Sequence, residues 1–168
     1  VTGHSLKIGG NDFDIALTDY IQTKHNLSIG KRTAEKIKKE IGCVFSRDRD
    51  ESAEACGFNT KTRRPEKILI HSEETREAFA GLIDKITSEI KSALDETPTE
   101  LLGDIMEDGI LLVGGGAMLS GMARKLRMEL GVKVFLAEHA DMCIAKGAAS
   151  VAENLDKLAD TTYVYTKG

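Results

Sequence analysis

The segment Ile110-Leu-Leu-Val-Gly-Gly-Gly-Ala-Met-Leu-Ser-Gly121 decides the fold class of this chain. Its first four residues are apolar and predict a buried strand, while a helical spacing of apolar residues runs from Met118 to Leu130. Between them, three glycines allow backbone torsion angles that are closed to other residues, and they let a ligand approach closely. The helix that follows points its free N–H groups at the same space, which suits a nucleotide. A purely structural tight turn is the alternative, because three glycines alone are weak evidence.

The residues around this segment extend it to a strand–helix–strand unit. Gly131 stands where the helix should end, and residues 132–136 predict a second strand. Such units are parallel and right-handed in nearly all folds. Upstream, Ser72 can cap a long helix with one apolar face, and Thr97-Pro-Thr-Glu100 has the cap, proline and glutamate of another helix start. A last helix is predicted from about Met142 to Leu155.

The region before Ser72 predicts two helices and a hairpin. An apolar stripe follows Asn11, which can cap the helix that carries it. Gly42 stands where the C-terminal cap of the second helix belongs, and residues 46–51 are dense in alternating charge, which predicts an exposed loop. The other elements expected here are a strand over residues 4–8, the second helix over residues 29–40, and hairpin strands over residues 52–58 and 66–70 joined by a basic turn.

These elements together predict an α/β protein with two lobes. A sheet-containing lobe would comprise residues 1–25 and 72–155, and a smaller α+β lobe of residues 26–71 would be inserted between them. Residues 156–168 would form a tail, in which residues 161–165 fit either a strand or disorder.

Composition argues against several classes of protein. The net charge of −4 gives no reason to expect nucleic acid or an anionic membrane as the main partner. No apolar run approaches the roughly 18 residues that span a bilayer, and no secretory signal opens the chain. Neither the four histidines nor Cys43, Cys56 and Cys143 have metal-ligand spacing, and the cysteines suit reduced thiols in a cytoplasm. Because the chain begins at Val1 rather than Met, we expect it to be part of a longer protein.

Several blocks of sequence resemble the C-terminal half of the MreB family, the bacterial actin-like cell-shape proteins. The most specific block is Ile29-Gly-Lys-Arg-Thr-Ala-Glu-Lys-Ile-Lys-Lys-Glu-Ile-Gly42, which is similar to the family almost position for position. The resemblance runs from about Ser5 to Leu155 and implies an actin-like ATPase lobe of the ribonuclease H-like type with a smaller inserted α+β subdomain. The other matching blocks are residues 8–14, the turn at residues 114–119, and residues 137–138 with residues 143–147.

The resemblance implies a nucleoside site in this chain. By matching position, Glu35 would accept hydrogen bonds from the ribose hydroxyls, and Lys38 would lay its stem along the base or ribose, with Lys39 a weaker candidate. Glu35 and Lys38 are three residues apart, so they share a helix face and could converge on one ligand. An exposed, solvated pair is the alternative. The resemblance also places the backbone of Gly114, Gly115 and Gly116 close to the α-phosphate and adenosine. Met118 would help to form one wall of the pocket.

The resemblance also implies functions that lie in the other half of the family's members. The loops that hold the β- and γ-phosphates of ATP with Mg²⁺, the residues that activate water and the membrane attachment are absent from this chain. We therefore expect half of an ATP-dependent, self-associating filament protein for cell shape, cytoplasmic and membrane-associated, and no catalysis by this chain alone. Another actin-fold protein, of the plasmid-partition or chaperone type, and an interaction module that binds no nucleotide are the alternatives. Residues 46–70 and His139-Ala140 depart from the family pattern, so the exact subfamily stays open, as does preference for ATP over GTP.

Overall fold

The structure, a computed structural model, describes residues 2–154 of the chain. Within that range it contains six α-helices, one 3-10 turn and five strands arranged in two sheets. In chain order the elements are α1 (Gly10–His25), β1 (Leu27–Ser28), α2 (Lys31–Ile41), β2 (Ser52–Asn59), β3 (Arg64–His71), α3 (Ser72–Asp95), α4 (Thr99–Asp108), β4 (Ile110–Leu112), the 3-10 turn (Gly115–Met118), α5 (Met122–Leu130), β5 (Val134–Leu136) and α6 (Cys143–Glu153).

A continuous hydrophobic core joins α1, α2, α3 and α5 to both sheets. The apolar stripe of α1 is buried, as predicted, and the Phe13 ring meets the Phe79 ring of α3 edge to face with centroids 5.1 Å apart. Further along α3, Ile83 is also buried. Removal of these apolar side chains from water is the main contribution that holds the helices together. The packing fixes α1 beside α2, and this sets the position of the first turn of α1.

The first sheet has three antiparallel strands in the order β1-β2-β3. β2 and β3 form the predicted hairpin, with Ser52 opposite His71 and Asn59 opposite Arg64. Along β2, buried and exposed residues alternate at first, so that one face of the sheet lies on the core. At the basic turn, the Asn59 side-chain oxygen accepts hydrogen bonds from two backbone N–H groups, each 2.9 Å long, and so closes the turn.

The strand–helix–strand unit is confirmed. β4 and β5 are parallel neighbours, with Ile110 paired to Val134, and α5 forms the connection between them. Gly131 ends α5 in the left-handed region, with φ of 71°, and its N–H donates to the Arg127 carbonyl at 3.0 Å. This geometry matches the glycine cap that the sequence indicates at the end of a helix.

Two predicted elements are wrong. The helix expected over residues 118–130 is interrupted, because Leu119 is extended and Gly121 has a φ of 83°; α5 therefore begins only at Met122. The strand expected over residues 4–8 does not form, since no strand in the described residues pairs with it. A strand needs a hydrogen-bonding neighbour, and a sequence of alternating apolar residues does not say where that neighbour lies.

Three helix starts lie one or two positions from their predicted places. Asn11 is already inside α1, and the Asp12 carboxylate instead accepts a 2.7 Å hydrogen bond from the backbone N–H of Gly9, the cap. Ser72 is the first residue of α3 rather than its cap, and α4 is capped by Pro98. Helix ends are satisfied by whichever nearby polar group has the right geometry, so several cap assignments fit one sequence.

The α/β fold class is confirmed by these elements, whereas the division into two lobes stays a prediction. The structure agrees with the second helix, which ends at Ile41 with Gly42 as its cap, and with the loop that follows it. The end predicted for the last helix and the proposed tail over residues 156–168 lie outside the described residues.

Candidate functional site

A cavity of about 650 Å³ opens between the C-terminal end of α2, the first turn of α1 and the glycine turn after β4. Its walls combine apolar side chains, glycine backbone and charged groups, which is the mixture that small-molecule sites generally have. The lining residues are Gly10, Phe13, Lys38, Lys39, Gly42, Arg47, Gly115, Gly116, Met118, Leu119, Ser120 and Asp141.

Backbone hydrogen bonds join the α2 side of the cavity to the glycine turn. The Ser120 N–H donates to the Gly42 carbonyl at 3.3 Å, and the Val44 N–H donates to the Ser120 carbonyl at 2.9 Å. Cys43 and Ser120 thereby form a short parallel bridge between two segments that are far apart in sequence. The two walls of the cavity are therefore fixed to each other through the main chain.

Arg47 adds a side-chain link between the same two segments. Its Nε donates to the Ser120 hydroxyl at 3.1 Å and one Nη donates to the Gly42 carbonyl at 3.4 Å, while the other Nη is paired with Glu51. The sequence interpretation of residues 46–51 as an exposed loop missed this residue, whose side chain is only 20% exposed. Glu51 and Gly42 are near Arg47 in sequence, but Ser120, which brings Arg47 to the cavity, is 73 residues away and leaves no local signal.

The glycine turn presents backbone rather than side chains to the cavity. Gly114 has a φ of 89°, a conformation that favours glycine, and its N–H donates to the Ala140 carbonyl at 2.7 Å. It therefore shapes the turn without lining the cavity. A Cβ atom on Gly115 or on Gly116 would meet no heavy atom within 4 Å, so the space in front of both residues is open. Met118, which is exposed, completes this wall.

Lys38 reaches across the cavity floor to α1. Its ammonium nitrogen lies 2.7 Å from Oδ1 of Asp14 and donates to the Gly10 carbonyl at 2.8 Å. The Lys38 side chain is 13% exposed and that of Asp14 is 4% exposed, so this ion pair is largely removed from water. The sequence did not indicate Asp14, because an aspartate in the first turns of a helix is common and its partner is 24 residues away.

Glu35 and Lys39 pair with each other one turn apart on α2. The Lys39 ammonium donates to Oε1 of Glu35 at 2.7 Å, and this hydrogen bond lowers the pKa of Glu35 and raises the pKa of Lys39. Glu35 does not line the cavity; it lies on a separate surface cleft of about 370 Å³ that Lys39 shares. Glu35 is thus paired with Lys39 and Lys38 with Asp14, and convergence of Glu35 and Lys38 on one ligand stays a prediction.

The structure thus brings together most of the residues that the sequence indicated. One cavity is lined by Lys38, Lys39, Gly115, Gly116 and Met118, while Glu35 and Gly114 lie beside it. Among the described residues, no group of three histidine, cysteine, aspartate or glutamate side chains is placed to hold a metal ion. Over the same range, none of the helices combines the length and the apolar character needed to cross a bilayer.

The architecture that frames this cavity is the α/β fold of the actin-like proteins. MreB5 of Spiroplasma citri bound to ADP superposes with a TM-score of 0.88 at 30% sequence identity, covering 94% of this chain and 48% of that one. The MamK double helical filament has a TM-score of 0.75 at 22% identity, covering 88% of this chain and 45% of that chain, and supports the fold alone.

Sequence comparison assigns the family within this fold. A family model described as MreB/Mbl protein matches residues 1–160, so the chain belongs to the MreB/Mbl family. It is 40% identical over 158 residues to the cell shape-determining protein Mbl of Bacillus cereus, covering 94% of this chain and 47% of that protein. The cell shape-determining protein MreB of Escherichia coli is 36% identical over 156 residues, covering 93% of this chain and 45% of that protein. The chain spans about half the length of these relatives.

Proposed function

We propose that this chain is the nucleoside-binding part of an actin-like, ATP-dependent filament protein that contributes to bacterial cell shape. The family assignment supports the role in cell shape, because the Mbl and MreB relatives are named for it. Binding of ADP and AMPPNP by MreB5 supports the nucleotide, and self-association is the expectation that membership of this family carries. The filament would be cytoplasmic and attached to the membrane through the other half of the protein.

The cavity between α2 and the glycine turn is the observation that carries this proposal. Its open backbone at Gly115 and Gly116 allows close approach of a planar base and a sugar, and Met118 and Leu119 supply apolar contact. The Lys38 stem forms part of the same surface. Glu35, on the adjoining cleft, would reach the ribose hydroxyls only after leaving Lys39. Because the Glu35–Lys39 pair is exposed, breaking it costs little.

The phosphates and Mg²⁺ would be held mainly by the other half of the longer protein. The sequence contains no Walker-type loop. We therefore expect no release of phosphate above background when the purified chain is incubated with ATP and Mg²⁺, and no polymer that can be pelleted. Sustained hydrolysis by the chain alone would contradict this part of the proposal.

An adenosine titration followed by NMR tests the site. Few contacts must offset the loss of ligand freedom and the desolvation of polar groups, so the expected dissociation constant is on the order of millimolar. Shift changes should concentrate at residues 114–118 and at residues 34–42, and Glu35→Ala should weaken binding by removing the ribose acceptor. Changes elsewhere, with both segments silent, would show that the site is misplaced and that the glycine turn has only a structural role.

A further inference from the structure

The cavity is lined by three cations, and each of them is already paired with a carboxylate of this chain. Lys39 is bound by Glu35 and Arg47 by Glu51, both of which are exposed carboxylates. Lys38 differs from them, since its partner, Asp14, is 3% exposed and lies beneath the cavity floor in α1. An ion pair removed from water is screened much less than an exposed one, so this pair should persist when a ligand enters.

The geometry of the pair determines which part of Lys38 a ligand meets. The ammonium is held on α1 by Asp14 and the Gly10 carbonyl, so the methylene stem spans the distance from α2 to α1 along a residue that lines the cavity. Oδ1 of Asp14 lies 2.7 Å from the ammonium, and the attraction of opposite charges in a site removed from water holds the two groups together. Loss of that charge should release the ammonium.

We propose, on the basis of the proposed nucleoside site, that Asp14 is a positioning residue that makes the cavity select the nucleoside rather than the phosphates. It does so by neutralising Lys38 and by fixing its stem as an apolar floor. The cation that would otherwise attract phosphate is turned inward and compensated. Adenosine and ATP should consequently bind the wild-type chain with affinities within about twofold of each other.

The test measures the affinities of adenosine and of ATP, without added Mg²⁺, for the 168-residue chain and its variants at low salt. Asp14→Asn keeps the size of the side chain but removes its charge, so it should free the Lys38 ammonium. ATP should then bind about threefold to fivefold more tightly than adenosine, because an exposed charge pair contributes at most about that factor. The preference should fade at high salt, where the Debye length falls to about 3 Å.

Two further variants separate positioning from a general structural role. Lys38→Met leaves the Asp14 carboxylate without its cation, so ATP should bind about threefold to fivefold more weakly than adenosine. The double variant Asp14→Asn with Lys38→Met should restore equal affinities for ATP and adenosine and should bind adenosine within about twofold of wild type, because an apolar stem is kept and no buried charge is unpaired. Lys36→Met is the matched control: Lys36 is on the same helix, exposed, and outside the cavity.

Each outcome bears on the proposal directly. An Asp14→Asn chain that folds and binds ATP and adenosine equally would overturn it, as would a folded double variant that loses adenosine affinity tenfold. If Asp14→Asn fails to fold, Lys38→Met decides the question: a folded Lys38→Met chain that still binds ATP and adenosine equally would overturn the proposal. Absence of adenosine binding to the wild-type chain would overturn the proposed function and this inference together, whereas adenosine binding with an unchanged ratio would overturn the inference alone.

Discussion

Phe45 packs directly against the α-carbon of Gly121. A Cβ atom on Gly121 would lie 2.5 Å from the Cβ of Phe45, and Gly121 also has a φ of 83°. On its other side, the Phe45 ring faces the guanidinium of Arg124 at 4.5 Å from its centroid. The loop after α2 therefore presses on the point where the glycine turn ends and α5 begins. This contact, together with the backbone bridge at Ser120, fixes the loop after α2 to the end of the glycine turn.

Gly121→Ala should lower the free energy of unfolding by about 3 kcal/mol. The left-handed conformation costs a residue with a Cβ about 1–2 kcal/mol, and the contact with Phe45 adds an overpacking cost of similar size. Gly131→Ala is the control, because Gly131 has a φ of 71° but no heavy atom within 4 Å of its Cβ position. It should cost only about 1 kcal/mol. Urea denaturation measures both, and equal losses would show that the Phe45 contact relaxes freely.

Arg47→Ala should weaken adenosine binding severalfold and lower the free energy of unfolding by about 1–2 kcal/mol. It removes the side-chain hydrogen bonds to Ser120 and to the Gly42 carbonyl, which link the two walls of the cavity. Arg49→Ala, an exposed arginine in the same loop, is the control and should change both quantities by less than about 0.5 kcal/mol. Calorimetric titration with adenosine gives the affinities. Unchanged binding by Arg47→Ala would mean that the backbone bridge alone positions the turn.

Gly115→Val should abolish adenosine binding without unfolding the chain. The space in front of Gly115 is open, so the substitution meets no heavy atom within 4 Å, but its branched side chain occupies the volume that the base needs. Gly81→Val is the matched control, since Gly81 also has open space and lies on α3 outside the cavity. NMR titration with adenosine reports the result. A Gly115→Val chain that binds adenosine like wild type would place the base elsewhere.

The stability of the chain should fall as the pH rises through the folded-state pKa of His4. Hydrogen bonds from His4 to Glu89 and then to Glu96 raise the pKa of the His4 ring above its ordinary value near 6.5. A group with a raised folded pKa contributes its stability in full below the unfolded pKa and loses it above the folded one. The stabilisation by protonated His4 should therefore be present in full below about pH 6.5 and lost at higher pH. Urea denaturation between pH 5 and pH 9 measures this change in the free energy of unfolding. The His4→Gln chain is the control, in which this contribution to the pH dependence should be absent.

The pH effect has a second control in the carboxylates. Glu89→Gln with Glu96→Gln removes both acceptors while keeping His4, and it should lower the pKa of the ring toward its ordinary value. An NMR titration of the His4 ring in both chains reports this directly. If the ring titrates identically in the two, the N-terminal segment is not held against α3 by these contacts.

Local sequence was sufficient to identify the elements whose causes are local. The apolar stripes of α1 and α3 follow from spacing alone, and Gly131 ends α5 because a left-handed residue is needed there. The parallel pairing of β4 with β5 follows from the strand–helix–strand order. The resemblance of residues 29–42 and the glycine turn to the MreB family was confirmed by the family model, which matches residues 1–160.

Tertiary structure decided which partner Lys38 takes and how Arg47 reaches the cavity, whereas the Glu35–Lys39 pair one turn apart on α2 is local. Lys38 and Glu35 share a helix, and their spacing allowed them to converge, yet Lys38 pairs with Asp14 and Glu35 pairs with Lys39. Arg47 lies in a loop that its sequence marks only as polar, and it joins the cavity because Ser120 folds back beside it. An ion pair depends on distance in space, and a lysine side chain has several carboxylates within reach of its flexible stem. Sequence therefore determines which residues are available, and the packing of α1 against α2 determines which of them bind each other.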